Sequence, residues 1–162
     1  MGSRSDGYQL PRIAQLADSQ HSCARPYKTF RGWTSGPGQL NEAPMKREKL
    51  FVYGTLRANE RANELLGPEA TYLRDAKTKP EFSLYQIDWY PGLTEGGSTA
   101  VAGEVWEINP EEWDKLDEYE GVPDDYLRKT IPLEDGMQVQ TYIYIGETEP
   151  SRLIVGGDWI TR

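Results

Sequence analysis

The chain has 162 residues, enough for one domain with a tail, and carries 18 Lys and Arg against 26 Asp and Glu for a formal net charge of −8. Residues 1–44 hold five basic and three acidic side chains and residues 45–162 hold 13 and 23, so the body is strongly acidic. That charge speaks against nucleic acid as a partner, and no apolar run approaches the roughly 18 residues of a membrane span. The expectation is a cytoplasmic protein, a monomer or weak oligomer, with no secretory-signal pattern; Arg4, Arg12, Arg25 and Arg31 allow a transit peptide, but Asp6, Asp18 and the lack of an amphipathic stripe count against it.

Residues 1–44 contain Pro11, Pro26, Pro37 and Pro44 among scattered Gly, Ser and Gln, with no sustained apolar period. The segment reads as loop or disorder, or as a non-native extension ahead of a start at Met45. Residues 45–162 read as the folded domain. The single histidine, His21, and the single cysteine, Cys23, both fall in the tail. A Cys/His zinc site, a Cys nucleophile and a Ser-His-Asp triad therefore lack their residue types in the body. Acid–base chemistry there must use Asp, Glu, Lys or Tyr.

From Lys49 to Tyr53 a short apolar strand runs into Gly54. Residues 57–66 follow with Ala58, Ala62, Leu65 and Leu66 at helical spacing and Gly67-Pro68 as a stop, which predicts a helix. Backbone N–H groups at the opening of such a helix have no partner within it, so the turn Tyr53-Gly54-Thr55-Leu56 is a candidate carboxylate-binding corner. It lacks the second Gly and the Gly-Lys-Ser/Thr of a phosphate loop. Strand patterns recur near 70–77, 81–87, 98–108, 126–133 and 137–145, separated by Tyr90-Pro91-Gly92, Glu95-Gly96-Gly97 and Asp135-Gly136. In the last of them Tyr142 and Tyr144 share one face, Ile143 and Ile145 the other. Tyr85, Tyr90, Tyr142 and Tyr144 read as core or barrel lining.

A second helix is signed by Asn109 as cap, Pro110 at the first position and Glu112 three after the cap, and it ends near Gly121. Trp113 and Leu116 define its apolar stripe, and Glu120 returns to within about 20° of that stripe at roughly 100° per residue. Glu111, Glu112, Asp114 and Glu118 lie away from it; Asp117 is the other acid near the inward side. Desolvation and the negative end of the helix both favour the protonated form of Glu120. A carboxyl raised toward neutrality can take and give a proton. Next in the chain, Tyr126 and Arg128 share a strand face close to Glu120 and form a candidate pocket pair. The whole is α+β, a small mixed β-barrel flanked by short helices.

Phe51-Val52-Tyr53-Gly54-Thr55-Leu56-Arg57, Leu116-Asp117-Glu118-Tyr119-Glu120-Gly121-Val122-Pro123 and Tyr126-Leu127-Arg128, in that order and spacing, resemble the γ-glutamylcyclotransferase-like family. The likeness is to its small branch of γ-glutamylamine cyclotransferases and butirosin-pathway deglutamylating enzymes, over about residues 48–160. The closing Gly157-Asp158-Trp159 is similar to that branch's usual end, which implies a native C-terminus. The resemblance implies a small closed or nearly closed barrel and release of 5-oxoproline from a γ-glutamyl amide by attack of the substrate's own α-amine. It assigns binding of the γ-glutamyl group to Tyr53, Gly54, Thr55 and Leu56 and proton transfer to Glu120. No metal or organic cofactor is implied, and the partner is a small γ-glutamyl substrate. A binding or regulatory protein that keeps the fold without turnover is the alternative. A hydrolase using Asp117 and Glu120 together ranks below both, because three-residue spacing puts both acids on one side of a bond. The tail's composition predicts that the 45–162 fragment keeps a cooperative thermal transition; a melt without one would make the tail part of the fold.

Overall fold

The computed structural model describes residues 46–162, so the expectation for residues 1–44 lies outside the described residues. The strands are β1 (Glu48–Val52), β2 (Thr71–Lys77), β3 (Phe82–Gln86), β4 (Pro91–Glu95), β5 (Ala102–Ile108), β6 (Tyr126–Pro132) and β7 (Gln138–Tyr144). One α-helix, α1 (Trp113–Glu120), lies between β5 and β6, and short 3₁₀ turns occupy Asn63–Leu66, Pro110–Glu112 and Pro150–Arg152. Five strands form one sheet in the order β2-β5-β1-β7-β6, and β3 and β4 form a separate hairpin.

β1 is central because its residues are apolar toward both faces, with Leu50, Phe51 and Val52 all buried. Alternation along the strand sends Leu50 and Val52 to the side covered by α1, where they join Trp113, Leu116, Tyr126 and Tyr142. Phe51 and Tyr53 point the other way, to Leu84 and Leu93 of the hairpin and to Ile143, Ile154 and Trp159. Each fully buried Leu or Phe contributes about 1.5–3 kcal/mol. β1 pairs antiparallel with β5 and parallel with β7. The C-terminal end of β1 is thus delivered into the middle of the sheet, beside the end of the helix. The expected split of Tyr142 and Tyr144 from Ile143 is present.

The fold class is α+β with a curled sheet, and the sheet does not close along its length. A β-bulge between Tyr72 and Arg74 bends β2. The edge strands then meet just past their ends, through a bridge from Thr78 to Leu133 and the Glu134 N–H donated to Lys77 O at 3.0 Å.

Three local expectations are corrected. Residues 57–66 form successive turns that end in a 3₁₀ turn, with no α-helix. The Glu60, Asn63 and Leu65 N–H groups close three-residue turns on Arg57, Glu60 and Ala62, and two other donors leave the segment. The Ala58 N–H reaches the Glu104 carboxylate at 2.8 Å, the Ala62 N–H reaches Thr55 O at 3.1 Å, and Asn59 stands at φ 64°. Tertiary acceptors outweigh helix propensity here. Next, the turn signal Tyr90-Pro91-Gly92 opens a strand, β4; Pro91 and Gly92 are tolerated because β4 pairs only with β3. Finally, Asn109 caps nothing with its side chain, which reaches Glu69 Oε2 at 2.9 Å, and the first turn after it is 3₁₀. Among the described residues no helix is long and apolar enough to cross a membrane.

Candidate active site

Two chain ends converge on one cleft: the turn that leaves β1 and the C-terminus of α1. The turn requires Gly54 because of crowding. A Cβ there would stand 2.4 Å from Pro91 Cγ, so β4 passes directly against it. The Arg57 N–H closes the turn on Gly54 O at 3.0 Å, and the turn is anchored from behind by Glu104. One Glu104 oxygen accepts Arg57 Nε at 3.1 Å; the other accepts the Ala58 N–H at 2.8 Å and the Trp106 indole N–H at 3.0 Å. Arg57 also reaches Asp158 at 2.9 Å, tying the C-terminal segment to the same turn. With these bonds made, the N–H groups of Gly54, Thr55 and Leu56 have no protein acceptor among the described residues.

The helix end is set by a Schellman motif. Gly121 takes the left-handed conformation at φ 70°; its N–H donates to Glu118 O, and the Val122 N–H donates to Asp117 O at 2.9 Å. Leu116, fully buried, fixes the rotation of the helix on the sheet. Glu120 is therefore the last helical residue, and its side chain faces the Gly54 turn.

Tyr53, Gly54, Thr55, Leu56, Tyr126 and Glu120, singled out from the sequence, all line this cleft. Tyr90, Pro91, Tyr119 and Tyr142 line it as well. Arg128 does not: its guanidinium pairs with Asp117 at 3.4 Å and lies over the Trp113 ring at 4.4 Å. Asp117 is also outside the cleft lining, with its other oxygen accepting the Tyr142 hydroxyl at 2.7 Å. The sequence reading of Tyr90 and Tyr142 as core or lining did not separate them from Tyr85 and Tyr144; only the first two reach the cleft. Glu104 was missed altogether. Its signal was a carboxylate inside an apolar strand, between Gly103 and Val105.

Among the described residues, Glu120 carries the only carboxyl in the cleft lining and has neither a hydrogen-bond donor nor a cation against it. Glu120 is half-buried, and desolvation among the rings of Tyr53, Tyr90, Tyr119, Tyr126 and Tyr142 pushes its pKa from 4.5 up to about 8. The tyrosines are moved the opposite way for proton transfer at neutrality. Burial, and then the nearby Glu120 charge, holds the Tyr53 hydroxyl well above its ordinary value, and Tyr90 is pushed up to about 12. Tyr53 donates to Tyr142 O and Tyr126 to Pro91 O, both at 2.8 Å. The enclosed volume is about 20 Å³, room for a water or two, and the cleft is open to solvent beyond it. Tyr119, half-buried and meeting Thr55 Oγ1 at 3.4 Å, is held by the longest of these contacts. Among the described residues no cluster of three or more His, Cys, Asp or Glu is placed to hold a metal.

The family model described as gamma-glutamyl cyclotransferase, AIG2-like, matches residues 50–161. The chain belongs to this family. A Vibrio cholerae protein named as a candidate gamma-glutamylcyclotransferase is 40% identical over 113 residues, covering 70% of this chain and 96% of the relative. The gamma-glutamylaminecyclotransferase A of Danio rerio is 30% identical over 127 residues, covering 70% and 74%. Among solved structures, the Escherichia coli protein ytfP is 29% identical with a TM-score of 0.56, covering 69% of this chain and 96% of that one. A mouse AIG2-like protein shares the fold at 24% identity and a TM-score of 0.56, over 70% of this chain and 88% of that one. The matched region of the cyclotransferase family contains both halves of the cleft, the Gly54 turn and the end of α1.

The Glu104 anchor gives a direct prediction. Glu104→Gln removes the more buried of the two carboxylates that Arg57 meets, leaving Asp158 alone, and sets an amide N–H₂ against donors, in a pair whose side chains are 13% and 7% exposed. Breaking one side of a buried pair costs about 3–5 kcal/mol. Denaturant unfolding should show a loss of that size; an unchanged midpoint would mean the turn is held by something else.

Proposed function

We propose that the chain is a γ-glutamylcyclotransferase that releases 5-oxoproline and a free amine from a γ-glutamyl-amine, with Glu120 moving the proton. The observation that carries this is a single unpartnered carboxyl, raised to about 8, opposite a turn whose backbone N–H groups are unused. Those N–H groups suit the α-carboxylate of a glutamyl group, while the tyrosine rings suit its methylene chain. In this orientation the α-nitrogen and the γ-carbonyl lie between the turn and Glu120.

The chemistry then needs little else. Glu120, as carboxylate, takes a proton from the substrate's α-ammonium. The freed nitrogen attacks the γ-carbonyl carbon, forming the five-membered ring through a tetrahedral intermediate. The bond from that carbon to the departing nitrogen breaks as Glu120 returns its proton to that nitrogen. Of the three hydrogens on the ammonium, one stays on the ring nitrogen, one passes through Glu120, and the third leaves with the amine product as its ammonium. Because the reaction is intramolecular, holding the chain folded supplies much of the rate. A carboxyl with a pKa near 8 is suited to both halves of the transfer, whereas one near 4.5 is a poor acid at neutrality. A body without cysteine also fits the cytoplasm, since it needs no oxidising compartment.

Glu120→Gln keeps the size of the side chain and removes the titrating group. It should fold and lose about 10² to 10⁴ in kcat, measured as 5-oxoproline release. Asp117→Asn should lose far less, because Asp117 is engaged by Tyr142 and Arg128 outside the cleft. In the parent protein kcat/KM should rise with pH as Glu120 ionises through about 8, since only the carboxylate accepts the first proton. Wild-type turnover in Glu120→Gln would falsify the assignment. A parent that binds γ-glutamyl compounds without turning them over would leave a binding protein.

A further inference from the structure

The reaction proposed above places a negative charge on the substrate's γ-carbonyl oxygen, and a carboxyl such as Glu120 cannot stabilise it. We propose that Tyr90 is a further catalytic residue, whose hydroxyl donates a hydrogen bond to that oxygen as the tetrahedral intermediate forms. This rests on the cyclotransferase reading and adds the group that receives the developing charge.

Among the described residues the cleft lining contains no Lys, Arg or His, so the oxyanion has only neutral donors to meet it. The N–H groups of the Gly54 turn are taken by the α-carboxylate of the bound substrate. Three of the lining tyrosines have spent their hydroxyls: Tyr53 donates to Tyr142 O and Tyr126 to Pro91 O, both at 2.8 Å, and Tyr142 donates to Asp117 at 2.7 Å. Tyr119 shares its hydroxyl with Thr55 Oγ1 at 3.4 Å. The Tyr90 hydroxyl meets no partner among the described residues. Yet Tyr90 is only 6% exposed, and among the described residues no buried side-chain oxygen or nitrogen lacks a hydrogen bond. Its hydroxyl therefore opens on free space, and the cleft is the free space that Tyr90 lines.

The residue is well seated for this part. The Ile87 N–H donates to Tyr90 O at 3.0 Å, and the Trp89 ring packs edge-on against the Tyr90 ring, 5.0 Å between centres. Pro91, next in the chain, is the residue that crowds the Gly54 turn. Tyr90 thus stands beside the turn, close enough to Glu120 for that charge to act on its hydroxyl. Burial first, then Tyr144, Asp125, Asp88 and Glu120, pushes the hydroxyl up to about 12, so it stays protonated at neutral pH. It donates a hydrogen bond and gives up no proton; Glu120 carries the proton that moves. A neutral carbonyl gains little from such a donor and an oxyanion gains much, so the contact favours the transition state over the bound substrate.

The test is Tyr90→Phe, assayed by 5-oxoproline release from γ-glutamyl-methylamide, γ-glutamylanilide and γ-glutamylglycine. On the compounds that the wild type turns over, kcat should fall about 10²-fold with KM nearly unchanged. The thermal midpoint should hold, because the free protein loses no hydrogen bond. Tyr126→Phe, which loses its bond to Pro91 O, should melt lower. Replacing Tyr90 by a fluorotyrosine keeps the donor and should keep kcat. The pH at which kcat/KM rises should stay where Glu120 sets it. An unchanged kcat in Tyr90→Phe, a loss confined to KM, or a shift of that pH would overturn the proposal while leaving the cyclotransferase reading in place. Absence of 5-oxoproline from the wild type with all three compounds would overturn both.

Discussion

A carboxyl group set among tyrosine rings, with no cation and no hydrogen-bond donor to receive its charge, works against folding whenever it ionises. Glu120 is held in that position by structure that does not depend on its charge. The Schellman turn at Gly121 stops the helix immediately after it, and Leu116 seats the helix on the sheet. Asp117, one turn back, is fastened to Tyr142 and Arg128. The surrounding hydroxyls give no relief, because Tyr53 and Tyr126 direct theirs to backbone carbonyls. The anion is left unstabilised, and the proton affinity of the group rises accordingly.

Glu104 and Glu120 show how environment divides two identical side chains between structure and chemistry. Glu104 receives three donors and holds the turn after β1 in place. Glu120 receives none and faces that turn from the other side. Arg57 extends the Glu104 anchor to Asp158, so the C-terminal segment and the turn are braced together. Tyr119 lines the cleft and meets Thr55 Oγ1, and Trp89, which carries the Arg61 guanidinium over its face, packs against Tyr90 of the cleft wall.

The parts legible in the sequence were those governed by local periodicity. Seven-residue spacing from Trp113 placed Glu120 inward, and period two separated Tyr142 from Ile143. Gly54 was legible as a necessary glycine, but for a different reason: the space is taken by Pro91, from a strand that the sequence presented as a turn. The helix expected at 57–66 gave way to three-residue turns, with the Ala58 amide claimed by Glu104 and the Ala62 amide by Thr55, and no local pattern announces a partner as far along the chain as Glu104. Arg128 faces the helix as its register implies, yet Asp117 captures it before it reaches the cleft. Long-range capture of donors and charges is what a single sequence conceals.

The central claim is that burial alone holds Glu120 protonated near neutrality. Carbon-13 NMR of protein labelled at the glutamate δ-carbon, with the Glu120 signal assigned by its loss in Glu120→Gln, measures this without reference to any substrate. The account predicts a titration midpoint of about 8 for that one signal. A midpoint near the ordinary 4.5 would contradict it, since the carboxyl would then be as well solvated or as well partnered as any on the surface.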